Sequence, residues 1–220
     1  MNSFIEVPAN SWSIKYRKPL YGVGINDSSY MTHSRVDGKR TRCPFYVVWA
    51  GMIERCYSEK HHAKFPTYRG CSVVEEWLTF SAFRKWMEDQ DWQGKHLDKD
   101  ILIGGNKLYG PESCIFVSGQ LNNLLLARDA RRGEYPQGVS WASSVSKYRA
   151  SCMVNSKSIC VGHYSTESKA EKSYLEFKSV VVREAAFEIE ASSNARLQAA
   201  LIAHADNLLA KAIGIENNEE

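Results

Sequence analysis

One stretch constrains the fold of this chain more than any other. It runs His96-Leu97-Asp98-Lys99-Asp100-Ile101-Leu102-Ile103-Gly104-Gly105-Asn106-Lys107-Leu108-Tyr109-Gly110-Pro111-Glu112-Ser113-Cys114-Ile115-Phe116-Val117-Ser118, then Gly119-Gln120-Leu121-Asn122-Asn123-Leu124. Acidic and basic groups alternate along a short extended arm. Gly104-Gly105-Asn106 then turns the chain, since Gly and Asn tolerate the backbone angles of tight turns. An apolar strand, Cys114 to Val117, returns it and leads into a helical segment with two adjacent asparagines. A hairpin followed by a helix would bring Asp98 and Asn122 close together although they are distant in sequence. Carboxylate and amide oxygens converging there suit a hard divalent cation.

A lone hairpin buries too little surface to be stable, so flanking helices must support it. After Pro44, Tyr46, Trp49, Met52 and Ile53 fall at i, i+3, i+6 and i+7 with Cys56 a turn later, which predicts a helix. A second helix is expected over 75–88, where Trp77, Phe80, Phe83, Trp86 and Met87 form a stripe assigned to the core. His61 and His62 fall in a polar loop between the two. Ahead of these, residues 1–19 read as an irregular lead-in and Tyr21 to Asp27 as a short strand before a turn. Gly22 and Gly24 lack the third glycine and following helix of a phosphate-binding loop. Ser34 to Arg40 reads as a hairpin whose Asp37-Gly38 turn has basic flanks.

At this point the chain resembles the HNH nucleases, in particular the homing-endonuclease-like proteins of bacteriophages. The resemblance covers residues from about 20 to 125. It rests on the Trp-x-x-Met helix, Arg55-Cys56, the Trp-x-x-Phe helix and the hairpin. It implies a ββα-metal core in which Asp98 is the metal-binding acid, Asn106-Lys107 the turn, Phe116-Val117 the returning strand and Asn122 the distal asparagine. Lys99 stands where the family keeps its general-base histidine, and an ammonium with an ordinary pKa near ~10 is a poor base at neutral pH. His96 and Asp100 flank that position as the candidate substitutes. The catalytic set implied is therefore His96, Asp98, Asp100 and Asn122, with magnesium or manganese held by Asp98 and Asn122.

Residues 127–137 are basic and punctuated by Gly and Pro, and read as a linker. Three strands are expected beyond it, over 138–142, 147–154 and 158–164, with Asn155-Ser156 as the second turn. A helix over 167–189 follows, capped from within Ser165 to Ser168. Alternation puts Lys147, Arg149 and Ser151 on one face and Tyr148, Ala150 and Cys152 on the other. This segment, 138–190, is similar to the DNA-binding domain of the APETALA/ethylene-response-factor type. The similarity implies a sheet lying in the major groove, with Trp141, Lys147, Arg149 and Lys157 as DNA contacts. In the last segment, 191–220, Leu197, Leu201, Ala205, Leu208 and Ala212 share one face of a helix ahead of an acidic tail. That face either packs back on the chain or pairs with a second copy to make a homodimer.

The expected fold class is thus α+β: an HNH-like core supported by helices, a three-stranded antiparallel sheet on a helix, and a C-terminal amphipathic helix. The net charge of +3, from 28 basic and 25 acidic residues, does not by itself announce nucleic acid, and distribution matters more. The six cysteines form no CxxC pair and read as reduced core thiols. Cys56, Cys71 and Cys114 with His61 or His62 match no standard zinc spacing, so no structural zinc is expected. No apolar signal core and no membrane-length stretch is seen, so a cytoplasmic protein is expected, in the host cell if a phage encodes it. Two functions follow from the resemblances. One is a metal-dependent DNA nickase or endonuclease; the other is a degenerate HNH-like module that binds DNA, or a host protein that it inhibits.

Overall fold

The computed structural model describes residues 4–36, 38–126 and 134–216. Its fold is α+β, with helices and small sheets distributed over two units that divide between Phe116 and Val117.

In the first unit β1 (Val7–Pro8) precedes α1 (Ser11–Lys15), whose N-cap Asn10 accepts the Ser13 N–H. β1 pairs antiparallel with β2 (Tyr30–Met31). The expected strand at 21–27 is instead a tight turn: Tyr21 and Gly22 have φ of 50° and 81°, and Leu20 bridges Gly24. β3 (His33–Val36) and β4 (Lys39–Arg42) form the expected hairpin, with Val36 opposite Lys39. Asp37 lies outside the described residues.

α2 (Pro44–Tyr57) starts on a proline, whose missing N–H is harmless in a first turn. It buries Trp49, Met52, Ile53 and Cys56. His61 and His62 belong to a short helix, α3 (Glu59–Lys64), rather than to a loop, because the Ser58 hydroxyl caps the His61 N–H. β5 (Ser72–Val73) follows. The expected helix over 75–88 is broken. A 3-10 turn spans Glu75–Leu78, Thr79 is extended, and α4 (Phe80–Glu88) begins after it. The break has a tertiary cause: Ile25 N–H donates to Leu78 O at 2.8 Å and Phe80 N–H to Ile25 O at 2.9 Å. The aromatic stripe is core as expected, with Trp77, Phe80, Phe83 and Met87 buried against α2. Trp49 indole N–H finds Trp77 O at 2.7 Å, so the largest buried ring leaves no donor unmet.

β6 (His96–Asp98), β7 (Leu108–Tyr109) and β8 (Ile115–Val117) complete the hairpin region. β6 shares a two-stranded sheet with β8, and β7 runs parallel to β5.

In the second unit α5 (Gly119–Leu125) is capped by the Ser118 hydroxyl. This helix groups with the C-terminal half. β9 (Val139–Ala142), β10 (Lys147–Val154) and β11 (Lys157–Tyr164) form one antiparallel sheet in the order β11-β10-β9. Asn155 and Ser156 have φ of 49° and 62°, as a two-residue hairpin turn requires. α6 (Glu167–Ala185) is capped by Thr166 and covers one face of the sheet through Ala170 and Tyr174 against Ala150 and Cys152. After the short α7 (Ile189–Ser192), α8 (Ala195–Glu216) lies along α6. Its Leu197, Leu201, Ala205 and Ala212 are buried within the chain. These residues are packed inside the chain, while Leu209 and Ile213 of the same helix stay exposed. Among the described residues no helix is long and apolar enough to cross a membrane.

Candidate functional site

The loop from Asp98 to Tyr109 is held by its own polar side chains. Asp98 is partly buried, and its Oδ1 accepts the Asp100 and Ile101 N–H groups at 2.7 and 2.8 Å. Burial pushes the Asp98 carboxyl above its ordinary pKa, against the lowering effect of those two bonds. Lys99 is 5% exposed. Its ammonium donates to Asp100 Oδ1 at 2.6 Å and to Asn106 O at 2.5 Å, and lies 5.9 Å from the Tyr109 ring centroid. Asn106 clamps the other side: its amide donates to Lys99 O and Leu108 O, and its Oδ1 accepts the Leu108 N–H. His96 and Asp100 are exposed.

One oxygen of each loop carboxylate is already engaged within the loop. Asp98 Oδ1 acts as the acceptor of a backbone turn, and Asp100 already binds an ammonium. Among the described residues no group of three or more His, Cys, Asp or Glu is placed to hold a metal ion. Asn122, the other expected ligand, lies in α5 of the second unit. Cys56, Cys71 and Cys114 are buried free thiols, and burial raises Cys56 to about 12 and Cys114 to about 11.

The second unit has one sheet face covered by α6 and one left open. Burial along β10 alternates as expected: Tyr148, Ala150, Cys152 and Val154 face the helix, and Lys147, Arg149, Ser151 and Met153 face away. Directly opposed residues share a face, so the register assigns the rest. Arg149 sits between Ser140 on β9 and His163 on β11, which makes a polar row across three strands. Trp141 is opposite Tyr148, against which it packs edge-on at 5.0 Å, and Lys157 is opposite Val154. The expectation that Trp141 and Lys157 share the face of Lys147 and Arg149 is therefore corrected: strand register puts them on the helix side, at the margins. His163 and Ser140 were missed. A β-bulge at Ala150/Ser151, which offsets β11 by one residue, hides the face of His163 from simple alternation.

The charge on this sheet is of one sign. From Tyr135 to Thr166 the chain carries Lys147, Arg149 and Lys157 and no Asp or Glu. Arg149 is half-buried, and its Nε is buried without a hydrogen-bond partner among the described residues. The same unit holds a cavity of about 430 Å3 lined in part by Lys178. Lys178 falls on the buried stripe of α6 with Ala170, Tyr174 and Val182, and burial lowers its pKa.

No protein-family model, curated protein or solved structure matches the chain.

Proposed function

We propose that this chain is a double-stranded DNA-binding protein that engages the duplex through the open face of β9–β11. Its hairpin unit is read as a catalytically degenerate HNH-like module. The observation that carries the proposal is Arg149, central on a sheet without carboxylates, whose buried Nε has no hydrogen-bond partner among the described residues. Buried donors are normally satisfied, so an orphaned one on an open face is best explained by an absent acceptor. Phosphate or a guanine edge supplies acceptors in the bidentate geometry that arginine matches. Size agrees as well. Three strands at about 4.8 Å spacing span about 10 Å between outer axes, comparable with a major groove about 12 Å wide. The degenerate reading of the hairpin is supported by Lys99, which is buried and bonded as a structural pin where the resemblance calls for a base.

Fluorescence anisotropy over a salt series tests the proposal. Each lost phosphate contact lowers the slope of log K against log salt by about 0.9. The double variant Lys147→Ala with Arg149→Ala is expected to bind weakly with a slope smaller by about 2. Binding unchanged by the double variant removes the sheet from the interface. A nicking time course with magnesium or manganese tests the hairpin: no cleavage is expected from the parent. Vigorous nicking abolished by Asp98→Ala would restore the nuclease reading, in which the cation serves as a Lewis acid.

A further inference from the structure

The β3–β4 hairpin places two arginines directly against one another. His33 is opposite Arg42 and Arg35 is opposite Arg40, and all four are exposed. Strand alternation puts these four on one face. The other face carries Ser34 and Thr41, whose hydroxyls are 3.0 Å apart, with Ser34 buried. The inward face thus anchors the hairpin, and the outward face is entirely basic. None of Arg35, Arg40 or Arg42 has a hydrogen bond or ion pair among the described residues.

Directly opposed like charges destabilise a strand pair. A sequence free to choose would alternate signs across such a pair. Same-face residues repeat about every 6.8 Å along a strand, so the four groups form a compact two-by-two array. Three of the four are arginines, which fork onto phosphate oxygens in a way lysine cannot.

We propose that the outward face of β3–β4 is a second DNA contact, made to the sugar-phosphate backbone and independent of base sequence. This rests on the reading that the chain binds DNA and adds a site in the first unit. The repulsion within the hairpin is relieved when phosphates lie between the arginines, so the free chain is less stable here than the bound one. The expected signature is a pair of effects of opposite sign. Relieving the repulsion by Arg40→Glu should raise the melting temperature of the free chain by about 2–5 °C. The same change should weaken DNA binding, because it removes one phosphate contact and adds a repelling carboxylate.

The experiment uses the full chain, with parent, Arg40→Glu, the pair Arg35→Gln with Arg40→Gln, and the sheet pair Lys147→Ala with Arg149→Ala. Anisotropy over a salt series is run on several unrelated duplexes. Loss of about 2 from the salt slope in the Arg35/Arg40 pair, equal on all duplexes, is the expected result. An unchanged slope in that pair, beside a reduced one in the sheet pair, overturns the hairpin proposal and leaves the sheet reading standing. The converse outcome overturns the sheet reading alone. Retention of the parent on phosphatidylserine vesicles with no binding to DNA also overturns it, in favour of a membrane surface. Should a hairpin variant fold poorly, Arg42→Gln decides: its salt slope must fall by about 0.9 on every duplex, and an unchanged slope refutes the proposal.

Discussion

Replacing Lys99 with methionine tests the claim that this residue is a structural pin. Methionine keeps most of the apolar stem and removes only the ammonium. The parent side chain is 6% exposed and its Nζ spans two acceptors, Asn106 O at 2.5 Å and Asp100 Oδ1 at 2.6 Å. A hydrogen bond from a charged donor to a carbonyl contributes about 1.5–3 kcal/mol. The Asp100 side chain is 52% exposed and regains water when the ammonium goes, so that half adds only about 0–1 kcal/mol. The expected loss is therefore about 2–3 kcal/mol from the first unit. Urea unfolding followed by tryptophan fluorescence suits the test, because Trp12, Trp49, Trp77, Trp86 and Trp92 lie in the first unit and only Trp141 in the second. Two units need not unfold together, so the fluorescence transition is fitted separately from far-UV circular dichroism. A Lys99→Met chain as stable as the parent would refute the pin. Lys99→His should be destabilised similarly and gain no nicking, because the shorter imidazole cannot reach both acceptors.

Three further outcomes are expected. Cys160 is the one exposed cysteine, on the open face opposite Ser151; iodoacetamide at neutral pH should label it alone, and a bound duplex should protect it. Burial holds the Cys56 and Cys114 thiols near about 12 and about 11, against 9.0 when exposed. Unfolded thiols thus ionise first, so stability is full below pH 9 and falls by about 1.4 kcal/mol per pH unit for each thiol as pH rises toward those values; a flat urea midpoint from pH 8 to 11 would contradict this. Gly138 has φ +81°, and an added Cβ would lie 2.1 Å from the Tyr174 ring; Gly138→Ala should destabilise the second unit by about 2–4 kcal/mol in a thermal melt.

What could be read from the sequence was local. The strands of the second unit were readable because alternation and the Asn155-Ser156 turn are properties of a few adjacent residues. The α2 and α4 stripes were readable because their period is helical. The break at Thr79 was not, because it depends on Ile25, a partner far away in the chain. Trp141 was assigned to the wrong face for a related reason: which way a short strand turns depends on register with β10, and that register is set by pairing. The hairpin loop shows a third kind of gap. Asp98, Lys99 and Asn106 were singled out separately, as metal-binding acid, base position and turn, and only their bonds show that Lys99 pins the loop and Asp98 caps it. Lys178 offered a usable signal, a lysine four residues from Tyr174 and Val182 on an otherwise buried stripe.

Net charge says little about the partner of this chain; the difference between satisfied and unsatisfied cations says more. In the first unit Arg84 is bonded to Glu88, Glu6 and the Tyr30 hydroxyl. Arg17 donates to the carbonyls of Asn26, Ser28 and Tyr30, and Lys107 to Thr67 O. Such cations are committed to the fold, and removing them should act on stability first. Arg35, Arg40 and Arg42 on one hairpin face, and Lys147 and Arg149 on one sheet face, have no such commitment among the described residues. Each group sits on the exposed side of a small sheet whose other side is packed. On the proposed reading one polyanion would answer both, because it supplies many acceptors at once and gains by releasing its counterions.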